Sequence, residues 1–179
     1  GNSFAFLVAN IDFEYIVLEL SSFQLDGMHT VALDYAVLLN ITPDHLDRYD
    51  SLQGYIDSKF KINQNQKSGQ LFIYCADDET ITNQLKHHTT EAELIPFTYH
   101  GGPLEQGAWV EDNQINIKLN KPKTEFIMSV EQLTIAGKHN TYNSMAASII
   151  ANSLFIRKET IRESLSDFKN VEHRLEHVG

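Results

Sequence analysis

The segment Tyr35-Ala-Val-Leu-Leu-Asn40 is apolar at every position between its two ends. A strand with one solvent-facing side alternates apolar and polar residues, whereas a strand covered on both faces of a parallel sheet reads as a continuous apolar run. The segment Tyr15-Ile-Val-Leu-Glu-Leu20 has the same character up to Glu19. Both segments therefore predict buried parallel strands, and Gln70–Cys75 and Leu94–Thr98 predict two more.

Four stretches carry apolar residues at helical spacing and predict helices. They are Ser51–Asn65, Asp78–His87, His139–Phe155 and Lys158–Phe168. Short strands that alternate with such helices are typical of β-α-β units. Between about residues 107 and 133 the sequence instead alternates around Asp112-Asn113, which predicts a hairpin within a small antiparallel β sub-sheet. The predicted fold class is α/β, with a mostly parallel Rossmann-like sheet flanked by helices.

Composition narrows the possible classes of protein. The 179 residues suffice for one domain, predicted to span 1–179. A formal net charge of −10 argues against a nucleic-acid partner, which requires a basic face. The sequence has no run approaching the roughly 18 apolar residues that predict a membrane-spanning helix. The single cysteine, Cys75, lies in an apolar run and is expected to be a buried thiol in a reducing cytoplasm.

Polar residues interrupt the pattern at the predicted carboxyl edge of the sheet, where open α/β sheets bind ligands. Glu19 could hold Mg²⁺ there, or it could be a solvated or ion-paired acid at the end of a strand. His45 lies in the segment Thr42–Tyr49 that follows the second predicted strand. It could bind a metal, oriented by Asp44 or Asp47, or the segment could only cap the next helix.

Lys59 shares its predicted helical face with the apolar residues Tyr55 and Ile56. Its amine could reach water beyond that face. Alternatively, partial burial could lower its pKa, so that the neutral amine reacts with carbon dioxide to form a carbamate, an oxygen ligand for a hard cation. Asn140 and Asn143 share a face at the start of the long helix, where polar ligand groups are favoured, although helix capping by asparagine is common.

Several common catalytic motifs are missing from the sequence. It contains no G-x-x-x-x-G-K-[ST] phosphate loop, no G-x-S-x-G elbow, no C-x-x-C pair and no H-E-x-x-H helix. Nucleophilic-serine and zinc chemistry therefore have no support. A metal-dependent hydrolase built from Glu19, His45 and Asp47 would leave Lys59 and the asparagine pair unexplained.

Five segments, in order along nearly the whole chain, resemble motifs of the Mur ligases. They are Glu19-Leu-Ser-Ser-Phe-Gln-Leu25, Asn40-Ile-Thr-Pro-Asp-His-Leu-Asp-Arg-Tyr49, Tyr55-x-x-x-Lys59, Gly137-Lys-His-Asn-x-x-Asn143 and His173-Arg-x-Glu176. The Ser-Ser-Phe-Gln-Leu portion resembles the D-glutamate-adding members rather than other members or folylpolyglutamate synthase. The resemblance implies the central, ATP-binding domain of a bacterial cytoplasmic ligase in peptidoglycan synthesis.

The resemblance also implies substrates and residue roles. ATP, UDP-N-acetylmuramoyl-L-alanine and D-glutamate would react through an acyl phosphate, with Mg²⁺ as cofactor. The implied metal ligands, also the catalytic residues, are Glu19, His45 and Lys59 as its carbamate. The implied nucleotide contacts are Asn140, Asn143 and Arg174. The implied contacts to the muramoyl-peptide substrate are Ser21 and Gln24.

The family's phosphate loop would precede this sequence, so the 179-residue chain alone is expected to have no ligase activity. Two other functions remain open at this stage. One is a Mur-type ligase for a different amino acid, and the other is a non-catalytic nucleotide- or metal-binding module.

Overall fold

A computed structural model describes residues 13–42 and 49–168. Their strands form one six-stranded sheet in the order of the chain. The strands are β1 (Tyr35–Leu38), β2 (Leu71–Cys75), β3 (Glu93–Thr98), β4 (Gly107–Glu111), β5 (Gln114–Asn120) and β6 (Lys123–Ser129). The pairs from β1 to β4 are parallel, and the pairs β4–β5 and β5–β6 are antiparallel.

Five α-helices accompany the sheet in the described residues. They are α1 (Ser22–Asp26), α2 (Leu52–Phe60), α3 (Glu79–Leu85), α4 (Lys138–Ser153) and α5 (Lys158–Ser166). Short 3₁₀ helices at Lys61–Asn63 and Val130–Gln132 follow α2 and β6. None of the helices in this part of the chain is long and apolar enough to span a membrane. The predicted helices are confirmed, with ends that differ by a few residues.

Helices cover both faces of the parallel strands. Phe72 and Phe97 point to opposite faces, because Phe72 pairs with Leu94 and Phe97 lies three residues further along β3. Phe60 of α2 packs on Phe72 with ring centroids 6.0 Å apart, and Tyr142 of α4 packs on Phe97 at the same distance. This two-sided cover explains the continuous apolar runs and confirms the prediction of buried parallel strands.

The predicted strand at Tyr15–Leu20 is wrong in this structure. The segment pairs with no described strand, and β1 forms the edge of the sheet. Val17 is 96% exposed and Tyr15 56% exposed. An apolar run becomes a buried strand only where neighbouring elements cover it, and none of the described elements covers this one.

The predicted hairpin is confirmed, but it is not a separate sub-sheet. Asp112 and Asn113 have φ values of 50° and 58°, the left-handed conformation that a tight two-residue hairpin turn requires. β4 also pairs in parallel with β3, which joins the antiparallel strands to the main sheet. Gly107 permits this junction, because a Cβ there would lie 2.1 Å from the carbonyl oxygen of Pro96.

We predict that Gly107→Ala destabilises the protein far more than Gly69→Ala. Both glycines have positive φ, +123° and +91°, but nothing lies within 4 Å of a Cβ at Gly69. Backbone strain alone predicts a loss of about 1 to 3 kcal/mol at Gly69. The overlap with Pro96 should add at least about 2 kcal/mol at Gly107. Urea denaturation measures both losses, and equal losses would show that the close contact is unimportant.

Candidate active site

The first motif forms a capped turn of helix. Ser21 is the N-cap of α1, and its side chain accepts a hydrogen bond from the backbone N–H of Gln24. The Gln24 side-chain oxygen accepts in return from the Ser21 backbone N–H at 2.8 Å. This reciprocal capping box turns the chain immediately after Glu19. Ser21 and Gln24 thus have a local structural role, and their role as substrate contacts stays a prediction.

A polar junction joins this motif to α2. The Ser58 hydroxyl donates to the backbone oxygen of Ser22 at 2.9 Å. Asp26, at the end of α1, accepts from the Tyr49 hydroxyl at 3.1 Å and from Lys61 Nζ at 2.7 Å. The Lys61 hydrogen bond is the main reason that the pKa of Asp26 is lowered. Residues from three predicted motif regions therefore meet at one place.

A chain of aromatic contacts extends from this junction to Lys59. Phe23 stacks on Tyr49 with ring centroids 6.0 Å apart, and Tyr49 meets Tyr55 edge-on at 5.4 Å. The Nζ atom of Lys59 lies 5.6 Å from the centroid of the Tyr55 ring. Lys59 is half-buried, which agrees with its predicted place on the apolar face of the helix. Carbamylation of Lys59 stays a prediction.

Two predicted site residues, His45 and Arg174, lie outside the described residues. Glu19 is described and is exposed in the extended segment before α1. The convergence of Glu19, His45 and Lys59 on one metal ion is therefore untested. Across residues 13–42 and 49–168, no group of three or more histidine, cysteine, aspartate or glutamate side chains is arranged to hold a metal.

Asn140 and Asn143 both lie near the N-terminus of α4, as predicted. The Asn140 side chain donates to the backbone oxygen of Ala136 at 2.9 Å, and Asn143 is exposed. The N-cap position is Gly137, with φ of 107° and no side-chain cap. Helix capping by an asparagine, the alternative open from the sequence, is therefore wrong.

Asp77 is a partly buried, hydrogen-bonded residue that is not among the residues predicted from the sequence. Its carboxylate accepts hydrogen bonds of 2.6 Å from the Thr98 hydroxyl, the Tyr99 backbone N–H and the Tyr142 hydroxyl. Burial opposes ionisation of Asp77, but these hydrogen bonds outweigh it and lower its pKa. Burial and the bond to Asp77 raise the pKa of Tyr142. Asp77 thereby links the end of β3 to α4.

The neighbouring Asp78 links the end of β1 to the start of α3. One of its oxygens accepts from the Ile41 backbone N–H at 2.8 Å, just beyond β1. The other caps α3 by accepting from the Ile81 backbone N–H at 3.0 Å. Asp78 therefore fixes the chain where it enters the segment that contains His45. An Asp-Asp pair directly after a buried strand was the only sequence signal for this arrangement.

Lys138 reaches the same edge of the sheet from the first turn of α4. Its Nζ atom donates to Nε2 of His100 at 2.6 Å, since an ammonium group can only donate. It also lies 5.4 Å from the Tyr142 ring centroid and 5.7 Å from that of Tyr99. Polar and aromatic side chains thus gather at the carboxyl ends of β2 and β3, where α/β domains of this architecture bind ligands.

Comparison with known proteins identifies this α/β domain. A family model, the Mur ligase middle domain, matches residues 2–151. UDP-N-acetylmuramoylalanine–D-glutamate ligase of Christiangramia forsetii is 48% identical over 99% of this chain. The ligase of the same name from Bacteroides thetaiotaomicron is 50% identical over 100% of it. The chain belongs to the Mur ligase family, and it spans 40% of the length of each of these relatives.

Solved structures support the fold. MurF from Acinetobacter baumannii superposes with a TM-score of 0.60 at 22% identity, over 80% of this chain and 31% of that one. A MurF ligase from Thermotoga maritima, solved in complex with ADP, has a TM-score of 0.52 at 18% identity, over 78% of this chain and 31% of that one. At these identities the likeness shows a shared α/β architecture.

We predict that Asp77→Asn destabilises the full-length protein by about 2 kcal/mol at pH 7, because it removes a partly buried charge that accepts three hydrogen bonds. The pKa of Asp77 is lowered from 3.8 on folding, so its ionised form stabilises the fold above that pH. The difference between wild type and variant should therefore shrink as the pH falls below about 4. Denaturation curves at several pH values measure it.

Asp34→Asn is the matched control, because Asp34 is exposed and its side chain accepts from the neutral Gln70 amide at 3.2 Å. Its effect should be within about 0.5 kcal/mol. A destabilisation by Asp77→Asn that does not change with pH would contradict the assignment of an ionised anchor.

Proposed function

We propose that the protein containing this domain is an ATP-dependent ligase that adds D-glutamate to UDP-N-acetylmuramoyl-L-alanine in peptidoglycan synthesis. The observation that carries the proposal is the near 50% identity, along the whole chain, to ligases named for that reaction. Because the chain spans 40% of their length, the proposed activity belongs to the full-length protein. We place that protein in the bacterial cytoplasm, with no nucleic-acid partner.

The contacts around Lys59 support this function. The first motif, the end of the His45 segment and the helix of Lys59 meet through Phe23, Tyr49 and Tyr55. Residues that act on one phosphoryl group must be held close together, because phosphoryl-transfer catalysis depends mostly on positioning and charge stabilisation. Asn140 and Asn143, at the start of α4, would orient the nucleotide.

The chemistry of the proposed donors suits magnesium. Mg²⁺ prefers one or two carboxylate-type oxygens, with water and phosphate oxygens completing the shell. Glu19 is exposed, so it can supply one such oxygen, and a carbamate on the half-buried Lys59 would supply another. His45 would complete the protein ligands. When bound, the ion would offset negative charge on the phosphates during transfer.

In the proposed reaction, the terminal carboxylate of UDP-N-acetylmuramoyl-L-alanine attacks the γ-phosphorus of ATP. The bond to the bridging oxygen breaks, which gives an acyl phosphate and ADP. The amine of D-glutamate then attacks the acyl carbon, phosphate leaves and the amine loses a proton. Ser21 and Gln24 would contact the muramoyl-peptide substrate, and Arg174 the nucleotide phosphates.

The full-length protein tests this proposal directly. ADP release, measured with UDP-N-acetylmuramoyl-L-alanine and a panel of amino acids, should depend on D-glutamate. Dependence on another amino acid would indicate a different Mur-type ligase. Nucleotide binding without turnover on any amino acid would indicate a non-catalytic module.

We predict that Lys59→Ala lowers kcat of the full-length enzyme by about 100-fold or more, because the proposed carbamate oxygen is lost. Short carboxylates such as formate should restore part of the rate by replacing that oxygen. Lys67→Ala is the control, since Lys67 is an exposed lysine whose partner Glu91 is also exposed. Unchanged turnover in Lys59→Ala, or a loss that carboxylates do not relieve, would count against the carbamate.

A further inference from the structure

Two local side-chain hydrogen bonds restrain the start of α4, from Asn140 to the Ala136 backbone oxygen and from Thr141 to the Gly137 backbone oxygen. Its N-cap, Gly137, makes no side-chain capping hydrogen bond, and nothing lies within 4 Å of a Cβ at that residue. Two side chains from the first two turns also connect the helix to the sheet. Lys138 reaches His100, and Tyr142 donates to Asp77 at 2.6 Å. The orientation of the helix start thus depends on these contacts with the ends of β2 and β3, in addition to the packing of the buried face of the helix.

The two asparagines of α4 lie on a different side of the helix from those contacts. At 3.6 residues per turn, Asn143 lies roughly 100° and Asn140 roughly 160° around the axis from Tyr142. Their direction is therefore set by how the helix is rotated and tilted on the sheet. A small rotation about the axis would displace both asparagine side chains without breaking the helix.

We propose that Asp77 is a positioning residue for nucleotide binding, acting through Tyr142 to set the rotation of α4 and hence the direction of Asn140 and Asn143. The inference rests on the proposed function, because the nucleotide is the ATP of that reaction. Asp77 does not contact the nucleotide. It is bonded to the end of β3 and to Tyr142, and so it fixes the helix relative to the strand ends.

The surroundings of Asp77 suit it to this task. The Thr98 hydroxyl and the Tyr99 backbone N–H hold its carboxylate on the end of β3, so the group that receives Tyr142 is itself fixed. Hydrogen bonds that involve a charged partner are among the stronger ones in proteins. The Tyr142 ring also packs against Phe97 with centroids 6.0 Å apart. Removal of the hydroxyl alone would therefore leave the ring packed while releasing its directional bond.

Tyr142→Phe in the full-length enzyme tests the proposal. We expect the KM for ATP to rise about tenfold, which is the effect of losing one hydrogen bond to a charged group, while kcat at saturating ATP changes less than about twofold. Tyr99→Phe is the matched control. It deletes the same phenolic hydroxyl from a ring 6.1 Å from Tyr142, whereas the bond from residue 99 to Asp77 uses the backbone N–H. The control should keep the KM of the unmodified enzyme.

A double-mutant cycle shows whether Tyr142 acts through Asp77. The effects of Tyr142→Phe and Asp77→Ala on the KM for ATP should be clearly less than additive, because both remove the same bond. Fully additive effects would overturn the proposal, as would a KM that is unchanged in Tyr142→Phe. A fall in kcat at constant KM would also overturn it, because that result places Tyr142 in the chemical step.

A readout that does not need turnover separates this inference from the proposed function. Amide hydrogen exchange in residues 138–143 should be faster in Tyr142→Phe than in the unmodified protein, and ADP affinity measured by calorimetry should fall about tenfold. If the unmodified protein binds ADP but forms no amide, the proposed function fails while these two results still support positioning. Unchanged exchange and unchanged ADP affinity would overturn the inference even in an active ligase.

Discussion

The adjacent carboxylates of Asp77 and Asp78, at the end of β2, hold the carboxyl edge of this domain together. Asp77 binds the end of β3 and the start of α4, whereas Asp78 binds the chain just beyond β1 and the start of α3. Parallel strands present no hairpin at this edge, so each strand leads into its own loop. The two side chains supply the cross-links between loops that a parallel sheet cannot provide by backbone pairing.

Described contacts hold both ends of the segment that contains His45. The His45 segment begins beside Ile41, which Asp78 binds, and ends at Tyr49, which packs on Phe23 and Tyr55. Both ends of the segment are therefore attached to well-packed elements.

Residue patterns within single segments predicted three of the strands and the hairpin. Apolar runs located β1, β2 and β3, and the turn preferences of Asp112-Asn113 located the hairpin. The run at Tyr15–Leu20 was misassigned because its composition does not reveal whether other elements cover it. The parallel pairing of β4 with β3 depends on the close approach at Gly107, a long-range contact that alternation cannot encode.

The candidate site was likewise predicted only in part. Helical spacing placed Lys59 on an apolar face, and the structure puts it over Tyr55. Asp77 belongs to an Asp-Asp pair at the end of a strand, but spacing could not reveal its role, because its partner Tyr142 lies 65 positions away.

The hydrogen bonds around Asp26 make the motifs near Lys59 energetically dependent on one another. Asp26 accepts from both Tyr49 and Lys61, and Tyr49 in turn lies 3.1 Å from the Ser58 hydroxyl. Removing any one of these groups therefore changes the hydrogen bonds available to the others. Substitutions in different motifs should therefore not be additive. Because Asp26 and Lys61 are more than a third exposed, their ion pair contributes little by itself, and the hydrogen-bonded arrangement matters more than the charge.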